Sequence, residues 1–573
     1  MSFQQVPLDN FTDVFSATTE LSSEAIGGQI VSVSDEFFAE AFHLLLVEPA
    51  PSLKGQFGSK GALYSGWETR RHNPAHDWCI IRLGTTGTIS GFDIDTSHFN
   101  GNEAPQASVE ILHGSPAEEP QVNDARWTEV LPRVDLGPNS RHLFTIPDSA
   151  AVNYVKLNMY PDGGIARFRV YGHVTPVFPS DSLELFDLAH VFAGGRLEYT
   201  SDQHFGVGSN LILPGRGKNM GCGWETKRSR IKGHKDWVII KLGVAGILEH
   251  VEIDTEHFKG NFPESCEIHA LFAETDVDWK TYEDRDWTVI LSRTKLGPHR
   301  QHYFQLENTE GKAYTHIKFT IYPDGGLQRI RIMGRRSSGS SSVAGSSMPL
   351  SSSVDAAVST AQETQSAVST STTTTIVPVL PLTPEAFAPF GQVIEAYNDD
   401  AAAPKGTKIT PANGGTARKF HKLSLLESAY SPDVGATAGI SIYRCQPLKE
   451  VAGDGTVELK VLERHQFTNQ AFIPMGQGSG EGLNDPGHRY LVVVAKNGAD
   501  DGPDLQNIRA FIASTAQGIV YRTGIWHQPM TVLGKAIDFA CVETQIGDGS
   551  VADCEILELD GAASVLRLRI PKA

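Results

Sequence analysis

Two stretches of this chain repeat the same polar residues, and the repeated types are those that move protons and hold small anions. GWETRRHNPAHDWCIIRLG (Gly66 to Gly84) is answered by GWETKRSRIKGHKDWVIIKLG (Gly223 to Gly243), and FDIDTSHFNGN (from Phe92) by VEIDTEHFKGN (from Val251). Glu68 and Glu225 stand beside basic runs containing Arg71 and Arg228. Each such cluster reads either as a surface ion-pair network or as a cradle for a small carboxylate, which arginine binds through two parallel hydrogen bonds. His98 and His257 recur within Asp-Thr-x-His-Phe-x-Gly-Asn. A single histidine there would read as a satisfied loop residue; the repetition makes both candidates for proton transfer or ligand contact. Asn102 and Asn261 close the same motif. The repeated YPDGG segments read as tight turns, in which proline fixes φ and Asp-Gly supplies the left-handed corner, so Asp162 and Asp324 are not taken as site residues. Trp78 and Trp237, just ahead of the apolar runs, are the expected core tryptophans.

A different constellation lies toward the C-terminus. Glu463 and His465 alternate on one strand-like run and so share a face. Gln470 follows, and His527 stands downstream in GIWHQP. Two imidazoles and a carboxylate suit a borderline divalent ion, with Gln470 a weak fourth ligand. The competing reading is an acid/base pair hydrogen-bonded by Gln470. The candidate metal ligands are therefore Glu463, His465 and His527, the ion's identity is open, and no organic cofactor is expected.

The elements that must position these residues are mainly strands. The register between the repeated blocks drifts from about 157 residues (Trp67 to Trp224) to about 162 (Tyr160 to Tyr322), which means tandem domains and not a solenoid of short units. WCIIRL and WVIIKL, YVKLNMY and HIKFTIY, and RFRVYG and RIRIMG are short β-branched and aromatic runs broken by Gly, Pro, Asn and Asp, as in antiparallel sandwiches. Ser180 to Phe192 is the clearest helix expected in this part, opening the second copy as DNFTDVF precedes the first. Residues 1–175 and 176–335 are thus expected to be two β-sandwich repeats. Residues 336–377, rich in Ser and Thr, have too little apolar surface to offset ordering entropy and read as a disordered tether. From 378 to 573 a helix entered through Thr383-Pro384 precedes GISIYRC, ELKVLERH, QAFIPM, RYLVVVA, IRAFIA, GIVYRTG and IDFACVE, a series that suggests a small barrel or jelly roll.

Composition narrows the function classes. The 573 residues carry 67 acidic and 49 basic side chains, a net charge of −18, which disfavours nucleic acid or an acidic membrane as partner while leaving room for a local basic cleft. Six cysteines without a CxxC pair give no disulfide framework or zinc-knuckle spacing, and Cys79 reads as a small buried filler. The opening MSFQQVPLDNF has no signal-like pattern, no apolar run reaches membrane-spanning length, and the terminal Pro-Lys-Ala is not a peroxisomal address, so a cytoplasmic location is expected.

Taken together, the GWET…DW…LG and DT-x-HF-x-GN blocks and their duplication resemble allantoicase, over nearly all of residues 1 to 335. The resemblance implies tandem galactose-binding-like jelly-roll sandwiches that hydrolyse allantoate to ureidoglycolate and urea. TPEAFAPFGQVIE, NGGTARKFHKLSLL, SIYRCQP, ELKVLERHQFTNQAFIPM and PDLQNIRAFIASTAQGIVYRTGIWHQPM resemble ureidoglycolate lyase, over about residues 379 to 560. That implies a cupin-type β-barrel that eliminates urea from ureidoglycolate to give glyoxylate. On these resemblances Arg71 and Arg228 anchor the carboxylate in the first part, with Asn102 and Asn261 as further substrate contacts. Glu68, Glu225, His98 and His257 handle protons. In the second part Arg444, Lys419 or Arg418 hold the carboxylate beside Gln470, and Glu463, His465 and His527 act as acid and base or as metal ligands. Metal-binding cupins carry His-x-His, then Glu, then a later His; Glu463 and Gln470 depart from that pattern. Small-molecule substrates and self-association are the expected partners. The competing reading is a pair of carbohydrate-binding sandwiches fused to a non-catalytic cupin, since fold alone does not fix function.

Overall fold

The computed structural model describes residues 2–115, 118–273, 286–337, 373–448, 451–475, 489–559 and 564–571. They form two units, one through Ser337 and one after it.

The first unit contains the two sandwiches, each built around one long strand. Asp77–Asp95 spans 19 residues, too long for one flat sheet. Its first half pairs with Gln29–Val33 and Val152–Tyr160, and its second half with Arg141–Thr145 and Arg167–Val174. The strand thus passes from one layer to the other, and Ile81, Leu83, Ile89, Phe92 and Ile94 meet Leu157, Phe168 and Val170 in the core between them. Cys79 is fully buried there. Asp236–Asp254 repeats the arrangement, pairing with Arg196–Thr200, Tyr314–Tyr322 and Arg329–Arg336.

Two local expectations are corrected. Ser180 to Phe192 is not a helix: Phe186–Asp187 forms a short strand against Met333–Gly334, followed by a single 3₁₀ turn at Val191–Ala193. The Asp187 carboxylate accepts from the Ile332 and Ala189 amides, so the segment satisfies its backbone through tertiary contacts. The fully buried tryptophans are Trp67 and Trp224, while Trp78 and Trp237 are only half-buried. Trp78 lies in a satellite cluster with Tyr154 and Trp127, apart from the main core.

The second unit is a barrel of two facing sheets. One contains Thr373–Pro381, Val461–Arg464, Arg489–Ala495, Arg509–Ser514 and Trp526–His527; the other contains Gly391–Ile394, Thr437–Cys445, Gln470–Pro474, Gly518–Tyr521 and Ile537–Gln545. Thr383 caps the helix Pro384–Phe387 through its side chain, as its sequence predicts. Most of the expected Ser/Thr-rich tether lies outside the described residues, although Arg336 and Thr373 to Val377 belong to strands that flank it. No helix among the described residues is long and apolar enough to cross a membrane.

Candidate functional site

In the first sandwich the turn after Tyr160 and the GWET segment hold each other. Trp67–Glu68 pairs with Gly164–Ile165, and the Thr69 amide donates to the Gly163 carbonyl at 3.0 Å. The buried Trp67 indole donates to the Asp35 carbonyl at 2.8 Å, fixing the segment from the other side. Phe99 supplies the third restraint. A Cβ on Gly164 would lie 2.1 Å from the Phe99 ring, so glycine is required for this close approach. Packing Phe99 here brings Asn102 to Glu68, and its amide donates to Glu68 Oε1 at 2.9 Å. Glu68 is 7 % exposed. Burial pushes its carboxyl above the ordinary range, against the opposing pull of Asn102 and the Arg71 charge. Arg71 is held by Asp162 at 3.2 Å, and Asp162 also accepts from the Asn73 amide. Glu68, Asn102 and Arg71 therefore converge. Asp162, read from sequence as a turn residue only, is the partner that positions Arg71; its signal was an acidic residue repeated opposite a repeated basic run.

The second sandwich repeats the scaffold with different polar contacts. Asn261 donates to Glu225 Oε1 at 2.6 Å, and a Cβ on Gly326 would lie 1.9 Å from Phe258. Glu225 is half-buried. Asp324 accepts from the Ser229 amide at 2.8 Å and has no ion pair with Arg228, which is exposed.

His98 and His257 both adopt left-handed backbone, φ 68° and 66°. The His98 ring donates from Nε2 to the Ala50 carbonyl at 2.9 Å, and its amide donates to Asn139. The His257 amide donates to His299 Nδ1 at 2.8 Å, in the place Asn139 takes in the first copy. Among the described residues neither imidazole has a hydrogen bond or ion pair with Glu68 or Glu225. Glu256, His257 and His299 offer ligand-type atoms within 4.8 Å of one another. Because His299 Nδ1 accepts from a backbone amide, its neutral ring carries the proton on Nε2, facing Glu256 at 3.7 Å. With Glu256 also paired to Arg216, the trio holds the loop together.

The barrel lumen collects a second set. Glu463 and His527 are register neighbours on adjacent strands, 3.6 Å apart between Oε1 and Nε2, and the His465 and His527 rings lie 5.6 Å apart. The ligand-type atoms of Glu463, His465 and His527 fall within 4.8 Å of one another. From the facing sheet, Gln470 donates to Glu543 Oε2 at 2.9 Å, and that carboxylate lies 3.6 Å from His465 Nδ1. His527 Nδ1 donates to the Ile525 carbonyl at 2.9 Å, so its neutral tautomer presents a lone pair on Nε2 to the lumen. Burial and the neighbouring His527 hold His465 down at about 4, leaving it neutral at neutral pH. Burial raises Glu543, whereas the imidazoles beside Glu463 outweigh its burial and keep it ionised. Glu543 escaped sequence reading. It occupies the inward face of IDFACVETQ with Phe539 and Cys541, where the strand pattern expects only apolar groups.

The expected basic residues of this half do not join the lumen set. Arg444 forms a two-point ion pair with Asp538 on a largely exposed strand, at 2.9 and 2.8 Å. Arg418 pairs with Asp400 at 2.6 Å, and Lys419 is exposed on the same hairpin.

A pair of duplicated sandwiches with a buried carboxylate–amide contact, followed by a barrel whose lumen opposes carboxylates and imidazoles, defines a two-part enzyme built for proton transfer. The allantoicase repeat family matches residues 19–175 and 186–337, and the ureidoglycolate lyase family matches residues 374–565. A probable allantoicase of Schizosaccharomyces pombe is 47 % identical over 326 residues, 56 % of this chain and 93 % of that protein. The allantoicase of Saccharomyces cerevisiae is 43 % identical over 318 residues, 54 % of this chain and 91 % of that protein. The crystal structure of an allantoicase from Saccharomyces cerevisiae superposes with a TM-score of 0.51 at 39 % identity, covering 58 % of this chain and all of that one. The chain belongs to the allantoicase family and carries a ureidoglycolate lyase domain, which makes it an enzyme of allantoin degradation with a hydrolase part and a lyase part.

Proposed function

We propose that the first unit hydrolyses allantoate to ureidoglycolate and urea, and that the barrel then eliminates urea from ureidoglycolate to leave glyoxylate. The observation that carries most weight is the lumen, which gathers the imidazoles of His465 and His527 with Glu463 and, from the facing sheet, the raised carboxyl of Glu543 3.6 Å from His465.

In the sandwich, Arg71, held by Asp162, binds the substrate carboxylate. Glu68 donates its proton to the leaving ureido nitrogen as the C–N electron pair departs, and the remaining ureido nitrogen compensates the electron-poor carbon. Water then adds to that carbon, and its proton returns to Glu68. Asn102 keeps the Glu68 carboxyl aimed through this cycle.

In the barrel, His527 Nε2 takes the hydroxyl proton of ureidoglycolate. The carbonyl forms, the C–N pair leaves with the nitrogen, and Glu543 supplies the proton that completes urea. Gln470 orients Glu543. A divalent ion fits the lumen: among the described residues His465 Nδ1 and Nε2 and His527 Nε2 are buried without a hydrogen-bond partner, and Glu463 supplies a carboxylate beside them. Glu463, His465 and His527 would hold it; His527 Nε2 would then be a ligand in place of its role as base, and the ion would supply positive charge for the substrate carboxylate and lower the pKa of the hydroxyl. That role also accounts for a lumen set without Arg444, Arg418 or Lys419.

The test is product analysis on residues 1–337 and 373–573 made separately. The first is expected to release urea from allantoate and the second glyoxylate from ureidoglycolate. Absence of both activities would overturn the reading. Chelation is expected to lower only glyoxylate formation, together with loss of bound metal measured by elemental analysis.

A further inference from the structure

The two copies of the GWET block have diverged in charge. In the first, both arginines of the loop after Glu68 have a carboxylate partner: Arg70 pairs with Asp35 at 2.7 Å and Arg71 with Asp162 at 3.2 Å. In the second, the loop after Glu225 carries five cations, Lys227, Arg228, Arg230, Lys232 and Lys235. All five are exposed, and among the described residues none has a carboxylate partner. The two acidic groups that mirror Asp35 and Asp162 are present but serve the backbone instead: Asp202 accepts from the Lys227 amide at 2.8 Å, and Asp324 from the Ser229 amide at 2.8 Å. The carboxylate centres differ as well, Glu68 being buried and Glu225 half-buried.

An uncompensated cationic loop on a chain of net charge −18 is a local reversal of potential. It attracts small anions that the rest of the surface repels. Resting on the allantoate reading, we propose that the Lys227–Lys235 loop of the second repeat is a capture surface for the carboxylate of the ureide substrate, and that the hydrolytic step belongs to the first repeat. Arg228 is the member best placed to meet the carboxylate first, since it follows Glu225 as Arg71 follows Glu68 but is free of its aspartate; Arg71 then holds the carboxylate at the Glu68 site. The surrounding lysines and Arg230 raise the local concentration of the anion, an effect that salt screens over a distance of about 8–10 Å at physiological ionic strength.

The experiment uses the full chain and allantoate. Lys227→Gln, Arg228→Gln, Arg230→Gln and Lys232→Gln are combined, and kcat and KM are measured from low to high ionic strength. The expected result is a KM raised about tenfold at low salt with kcat retained, the difference closing as salt is added. Calorimetry of the Glu68→Gln chain is expected to show allantoate binding that the same four substitutions weaken to a similar degree. With Lys227→Gln, Arg230→Gln and Lys232→Gln kept, Arg228→Lys in place of Arg228→Gln is expected to recover part of the low-salt KM. A KM indistinguishable from the native chain at every salt concentration overturns the proposal. So does a collapse of kcat matching that of Glu68→Gln, which would make the second repeat hydrolytic. A native chain that releases no urea from allantoate would instead remove the underlying reading.

Discussion

Glu68 and Glu543 are the proton donors of the two proposed reactions, and both are carboxyls that burial keeps protonated over a wider pH range than usual. A group that donates its proton is competent below its pKa, so hydrolase activity is lost as pH rises through that of Glu68. Asn102 and Arg71 both favour the ionised form. Asn102→Ala is therefore expected to move the alkaline limb of the allantoate pH–rate profile upward, and a limb that stays or moves down would contradict the assignment. Glu68→Gln and Glu543→Gln are each expected to lower kcat about 100-fold or more in their own reaction only. The sequence exposed Glu68 because duplication singled it out. Glu543 stayed hidden because the inward face of IDFACVETQ is otherwise apolar, and only the folded barrel brings Gln470 and His465 beside the one acid on that face. Arg444 and Arg418 misled for the complementary reason: basic residues near a motif in sequence found acidic partners on the surface.

At the level of elements, the Phe–Gly contact is what delivers the amide to the glutamate in each sandwich. Gly164→Ala would drive a methyl into the Phe99 ring, a cost of about 1–3 kcal/mol that the fold can meet only by shifting the HF-x-GN loop. The expected outcome is a lowered Tm for the first unit and loss of allantoate hydrolysis with ureidoglycolate lysis intact, read by calorimetry and separate assays. Unchanged hydrolysis would show that Asn102 placement does not matter. The strand pattern of all three domains was legible, since alternating β-branched runs between turn residues have few other solutions. The misread segment, Ser180 to Phe192, has apolar residues at helical spacing, yet its Asp187 carboxylate caps two backbone amides and leaves no room for a helix. Tertiary hydrogen bonding of that kind leaves no trace in local periodicity.

On the scale of the whole molecule, the proposed successive use of one carbon skeleton by two sites would explain why a sandwich pair and a barrel share a chain. In the proposed sequence the product of the first reaction is the substrate of the second, and each reaction expels one urea. The two sites lie in separate units with separate polar machinery, so each can be silenced without the other. The most direct measurement is the stoichiometry of urea and glyoxylate formed from allantoate by the full chain and by its His527→Ala variant, followed over the early time course. The native chain is expected to give two ureas and one glyoxylate per allantoate, and the variant one urea with ureidoglycolate accumulating. A variant that still yields glyoxylate at the native rate, or one that no longer consumes allantoate, would contradict the account.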